Sequence, residues 1–306
     1  AVLCCDNMAS NGDKLRAATI ALAHRRDPAL ADWIGAEVAF PNAMVDSITP
    51  ATDEAQVQRA AAALGVGDDA SVQREAFVQW VLQDLALPGD PDLVSAGVTL
   101  TGDVAAWEQA KLRVLNGAHS TLAYLGLLLG HETVADAMAD ADLAAFAETM
   151  VADEVLPTLA GTAGLDPHAY AASVFARFRN PAIRHLLSQI AWDGSKKLPY
   201  RLLDSVAEQL AAGRPVTRLA TAVAGWMAFL RLRAQAGEGV TDPLADQLLA
   251  RATDADTPAA LADALLAVDA VFPPALAANP FFRDAVVRAL DALLADPRGA
   301  LAKRTA

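Results

Sequence analysis

Asp103-Val-Ala-Ala-Trp-Glu-Gln-Ala-Lys111-Leu-Arg-Val-Leu-Asn116-Gly-Ala-His119-Ser-Thr-Leu-Ala-Tyr-Leu-Gly-Leu-Leu-Leu-Gly130 is the stretch around which the chain is organised. Asp103 opens a long helix that runs through Lys111 and His119 toward Gly130. The helix is apolar on most sides, which places it at the centre of a fold. At about 3.6 residues per turn, Asn116 lies about 140° and His119 about 80° around the rod from Lys111. A lysine, an amide and an imidazole therefore share one side, and Gly117 and Ala118 keep that wall thin. Two readings stay open: a site, or a packed helix with a snorkelling Lys111 and a hydrogen-bonded His119.

The totals agree with a helical protein. The chain has 306 residues, 54% hydrophobic and only 6% aromatic. Strand formers are sparse, so the composition predicts a mainly α fold with a few short strands. The net charge of −13 disfavours nucleic acid, because an acidic surface repels phosphate. Cys4 and Cys5 are adjacent in an apolar run, which suits a reducing, cytoplasmic setting rather than a disulfide framework. The longest apolar run, residues 121–130, is too short to span a membrane.

Outward from the central helix, residues 1–5 read as a buried strand, and the polar run to Asp13 caps a helix after it. Asn7 follows the end of that strand, a favoured site position in α/β folds, though turn closure is the preferred reading of the residue taken alone. The prolines and β-branched residues of 38–50 predict extended chain holding Asp46 among apolar neighbours. Phe77–Leu82 and Val98–Thr101 read as partner strands. Gly65-Val-Gly67-Asp-Asp-Ala70 follows a helix rather than a strand and carries two aspartates, so it is no dinucleotide loop. Pro157-Thr-Leu-Ala-Gly161 breaks the helical run. Asp193-Gly-Ser-Lys196-Lys197-Leu-Pro199 reads as a helix junction whose lysines could meet an anion, or as a solvated loop. No metal-ligand spacing, nucleophile elbow or P-loop occurs. That leaves the lysine helix, where a lysine of lowered pKa can act as a general base and asparagine amides can stabilise an alkoxide.

Four motifs, Cys5-Asp-Asn7 with Asn11-Gly12, Phe40 to Pro50, Lys111 to Ser120 and Asp193 to Pro199, occur in an order that resembles the polyol-specific long-chain dehydrogenases, the mannitol dehydrogenase family. The resemblance covers nearly the whole chain. It implies Lys111 as general acid/base, Asn7 and Asn116 as alkoxide-stabilising amides, and His119 and Asp46 as further active-site positions. It also implies NAD, with NADP as the alternative, no metal, and a sugar acid or polyol as substrate. Lys197-Leu-Pro-Tyr-Arg201-Leu-Leu-Asp204 and Val223-Ala-Gly-Trp-Met227 look most like the fructuronate reductases of that family, with Lys197 and Arg201 as partners of the substrate carboxylate. Mannitol 2-dehydrogenase and tagaturonate reductase are the alternatives within the family.

On this reading, residues 1–6 are the last strand of a Rossmann domain that is otherwise missing and belongs to a parent protein. Residues 7–306 form a multi-helical C-terminal dehydrogenase domain, and most cofactor-binding residues lie elsewhere. A non-catalytic helical binding module is the competing expectation from another class.

Overall fold

The computed structural model describes residues 1–85, 92–159, 161 and 164–305. It divides into two compact units, Ala1–Gln109 and Ala110–Ala306.

The first unit carries α1 (Asn11–Arg26), α2 (Pro28–Glu37) and α3 (Glu54–Leu64) around a small sheet. Its strands are β1 (Ala43–Asp46), β2 (Gln79–Gln83) and β3 (Thr99–Thr101), in the order β1-β2-β3. β1 runs antiparallel to β2 with Met44 opposite Val81, and β3 runs parallel to β2 with Thr99 opposite Val81. Ala43, Leu82 and Val98 form a small core beneath Trp80 and Leu93. α2 starts where the Asp27 side chain accepts from the amides of Ala29 and Leu30, with Pro28 in the first turn. α4 (Val104–Ala110) follows the sheet.

The strand expected at residues 1–5 does not form. Val2 donates its amide to the Ala39 carbonyl, but Val2 and Leu3 stay exposed. β-branched and apolar side chains favour a strand only when a neighbouring strand and a covered face receive them, and among the described residues this segment has neither.

The second unit is helical. It begins with a π-helical turn, π1 (Lys111–Asn116), leading into α5 (Gly117–Leu128). α6 (Val134–Ala139) and α7 (Ala141–Met150) follow, then a second π turn, π2 (Val151–Val155). Leu156–Thr158 is a 3-10 turn; Ala160 of the expected break lies outside the described residues. Next come α8 (Pro167–Phe178), α9 (Leu187–Ile190) and α10 (Gly194–Leu198). A third π turn, π3 (Pro199–Leu203), leads into α11 (Asp204–Ala211). The remainder is α12 (Thr217–Gln235), α13 (Ala245–Asp254), α14 (Pro258–Leu266), α15 (Pro274–Ala277), α16 (Pro280–Ala295) and α17 (Pro297–Thr305).

α5 and α12 are the axis of this unit. Both are buried almost all round, and α12 also packs against α13 and α16. Neither is strongly amphipathic in sequence, as expected of helices covered on every side. Glu154 in π2 is a buried carboxylate that accepts from the amides of Arg218 and Leu219, so it caps α12 from a distance. π1 lies against both π2 and π3. Gly117 makes the approach to π3 feasible, because a Cβ there would stand 2.8 Å from the Arg201 carbonyl oxygen.

Candidate active site

Five of the seven expected site residues belong to the second unit. Lys111, which is buried, opens π1 and Asn116 closes it. On an α-helix, residues five apart stand about 140° apart. A π turn is bonded i to i+5, which brings the residue five positions on to within about 50° of the first. The Gly117 amide bonds the Leu112 carbonyl in this pattern. The expected arc is corrected accordingly: Lys111 and Asn116 line up because the backbone is π-helical. Arg113, in the same turn, is anchored to Thr158 at 3.0 Å and to Glu208 at 2.6 and 2.9 Å, which holds the turn in place.

His119 follows in α5 and is buried. Its ring stacks on Phe178, with centroids 4.1 Å apart and planes at 17°, and meets His185 at 5.0 Å, edge to face. Its Nε2 is buried with no hydrogen-bond partner among the described residues. Burial holds the imidazole well below its ordinary 6.5, and the positive charges of His185, Arg201, Arg177 and Lys197 push the same way.

Arg201, in π3, donates from Nη1 to Ser120 Oγ at 3.0 Å and toward the Asn116 carbonyl at 3.5 Å. Its buried Nε has no partner among the described residues, and burial lowers its pKa. Lys197 donates to the Ile190 carbonyl at 3.3 Å. Burial first, then the charge of Arg201, pushes its ammonium down to about 8, against the opposing pull of Asp193 and Asp242.

The junction before Lys197 is a built turn rather than a solvated loop. Asp193 adopts a left-handed φ of 54°, which aspartate tolerates better than most residues. The Asp242 carboxylate accepts from the Ser195 amide at 2.8 Å and from Ser195 Oγ at 2.6 Å, fixing the start of α10 and so the base of Lys197.

The other two expected residues, Asn7 and Asp46, belong to the first unit. Asn7 is exposed in a bend before α1, and Asp46 ends β1 with its side chain buried. Asn11 ties their segments together. Its amide donates to the carbonyls of Cys4 and Asp6 at 3.0 and 3.1 Å, and its oxygen accepts the Ala43 amide at 2.8 Å. Burial of Asn11 between a polar loop and β1 is visible only in the fold. Arg177, Phe178 and His185 carried no sequence signal at all, because they sit in ordinary amphipathic or loop segments.

Gly65 takes φ 74° to close α3, so Gly65-Val-Gly67 is a helix C-cap and no phosphate cradle. Among the described residues, no group of three His, Cys, Asp or Glu side chains is placed to hold a metal ion. No described helix is long and apolar enough to cross a membrane. The arrangement offers a buried amine and a half-buried amide on one π turn, an imidazole with an open nitrogen, and three cations, Arg177, Lys197 and Arg201, whose charges act on that imidazole. Such a set can move a proton and bind an anionic or polyhydroxylated molecule.

Comparison with known proteins bears on this arrangement. Residues 103–294 match the family model for the mannitol dehydrogenase C-terminal domain, and residues 1–94 match the model for the mannitol dehydrogenase Rossmann domain. A D-mannonate oxidoreductase of Escherichia coli is 40% identical over 295 residues, covering 95% of this chain and 60% of that protein. A mannitol 2-dehydrogenase of Phaeosphaeria nodorum is 37% identical over 258 residues, covering 83% and 45%. The solved Pseudomonas fluorescens mannitol 2-dehydrogenase, in ternary complex with NAD and D-mannitol, superposes with a TM-score of 0.83 at 34% identity, covering 99% of this chain and 61% of that one. The chain thus spans about three-fifths of the length of the first curated relatives. The match over residues 1–94 overturns the expected fold, in which a single strand preceded a C-terminal domain and the Rossmann domain was missing and supplied by a parent protein. The short mixed sheet and its polar loops misled the sequence reading, because no glycine fingerprint marks this part of the domain.

Proposed function

This chain belongs to the mannitol dehydrogenase family, and on that premise we propose that it serves NAD(H)-dependent interconversion of D-fructuronate and D-mannonate. NAD, with NADP as the alternative, is the redox partner in this reading and supplies the hydride acceptor. Among the described residues no glycine-rich turn joins a strand to a helix as a phosphate cradle, so no residue is assigned to the nucleotide.

The residues present handle the proton and the sugar. Neutral Lys111 takes the hydroxyl proton of the alcohol in oxidation, and its ammonium returns it in reduction. The Asn116 amide donates to the oxygen on which negative charge develops. His119 bonds a neighbouring hydroxyl. Lys197 and Arg201 hold the carboxylate of the sugar acid.

The observation that carries the uronate over the polyol is the cation cluster about His119. The charge of Arg201, added to burial, lowers Lys197 to about 8, and a substrate carboxylate between the two would favour the cationic form of both. Oxidation of mannitol is the second reading, favoured by the likeness to the D-mannitol complex. Calorimetric titration of D-mannonate and D-mannitol into the protein, beside NADH oxidation with D-fructuronate and D-fructose, separates the two. The expected result is tighter binding of mannonate and a higher kcat/KM for fructuronate; preference for the neutral sugar would overturn the uronate reading.

A further inference from the structure

His119 is built unlike a packing residue. Buried polar atoms are nearly always bonded, because an unmade bond there forfeits solvation without replacement. Its Nε2 nevertheless lacks a partner among the described residues, while both other sides of the ring are occupied. Phe178, the last residue of α8, covers one face at 4.1 Å and 17°. His185, in the segment before α9, closes the edge at 5.0 Å and 88°. The preceding helical residue, Arg177, adds its charge from the same end of α8.

We propose that Phe178 and His185 are positioning residues that clamp the His119 ring and hold its Nε2 open for a substrate hydroxyl. The inference rests on the reading of His119 as a sugar-binding group. A stacked aromatic face excludes water and fixes the plane of the imidazole. It thereby keeps the ring neutral beside His185 and among cations that reach it from separate elements: Arg177 from α8, Lys197 from α10 and Arg201 from π3. A neutral imidazole bonds a hydroxyl as donor or acceptor, whereas an imidazolium only donates and adds a further like charge. Leucine at 178 fills similar space but has no ring face, so packing and clamping are separable.

Histidine NMR resolves the clamp independently of turnover, with the His119 signal assigned by His119→Gln. In the wild type, the His119 ring should stay neutral from about pH 5.5 to about pH 8, well clear of its ordinary titration. Phe178→Leu should bring titration into this window, with a midpoint raised by at least about one pH unit as water reaches the ring. Phe178→Tyr should behave as the wild type. The KM for D-mannonate should rise about tenfold or more in Phe178→Leu and stay unchanged in Phe178→Tyr. His185→Gln, on a half-exposed residue, should shift the His119 midpoint upward if the leucine variant fails to fold.

A His119 midpoint near 6.5 in the wild type, or one unmoved by both Phe178→Leu and His185→Gln, overturns the clamp. A moved midpoint with an unchanged KM overturns the substrate-directed role. Failure of the wild type to bind any sugar refutes the functional reading instead, and the NMR result still decides the clamp.

Discussion

Lys111 and Lys197 make different demands at the residue scale. On the proposed reading the buried amine of Lys111 carries the proton, and general acid–base groups contribute roughly 10²–10⁴-fold to rate. Lys111→Ala should therefore lower kcat by about that factor and remove the rise of alcohol oxidation with pH, read from pH–rate profiles. An active alanine variant with an unchanged profile would sink the assignment. For Lys197 the cationic form is the binding form. Its ammonium titrates at about 8, so affinity for a carboxylate is present below that pH and lost as pH rises through it. The KM for fructuronate should climb above about pH 8 while that for fructose stays flat, and Lys197→Ala should remove the fructuronate climb. Equal weakening of both sugars by Lys197→Ala would dismiss the carboxylate role. Lys111, Asn116 and His119 could be picked out in the sequence because three polar types converge in an apolar helix. Phe178 and His185 could not, since an aromatic at the end of a helix is ordinarily a core residue, and their meaning comes only from the ring they touch.

At the element scale the π turns decide the geometry. Helix propensity and apolar spacing are nearly the same for one α turn and one π turn, so the long helix was legible and its widening was not. The widening turns a Lys–Asn spacing of five into a shared face. Gly117 tests this arrangement. Alanine gains about 1 kcal/mol over glycine in a helix. Its Cβ, however, would stand 2.8 Å from the Arg201 carbonyl oxygen, a backbone atom that cannot rotate away. Overpacking of this kind costs about 1–3 kcal/mol, and here it should exceed the propensity gain. Gly117→Ala should lower the urea midpoint and raise the KM for the sugar acid, because it displaces Arg201. A more stable variant would mean that the start of α5 and π3 are not in close contact.

At the scale of the whole molecule, charge dominates. A net charge of −13 repels itself in the compact state more than in the unfolded chain. Raising ionic strength from about 0.01 M to about 0.15 M shortens the screening length from about 30 Å to about 8 Å. Tm should rise by a few degrees over that range, because surface ion pairs such as Arg184–Glu132 contribute little that salt could remove. A fall in Tm would show that such pairs outweigh the net repulsion.

The amino-acid sequence by itself determined the family, the helical character of residues 110–306, the strands near residues 79–83 and 99–101 and the residue types of the candidate site. Those properties depend on local composition, periodicity and motif order. Tertiary structure alone decided that residues 1–5 form no strand, that the chain divides after Gln109, that Lys111 and Asn116 align through a π turn, and that Arg177, Phe178 and His185 gather on His119. The physical reason is common to all four. A strand needs a neighbour, a unit needs its own core, a π turn needs packing to hold it open, and a clamp needs partners distant in the chain.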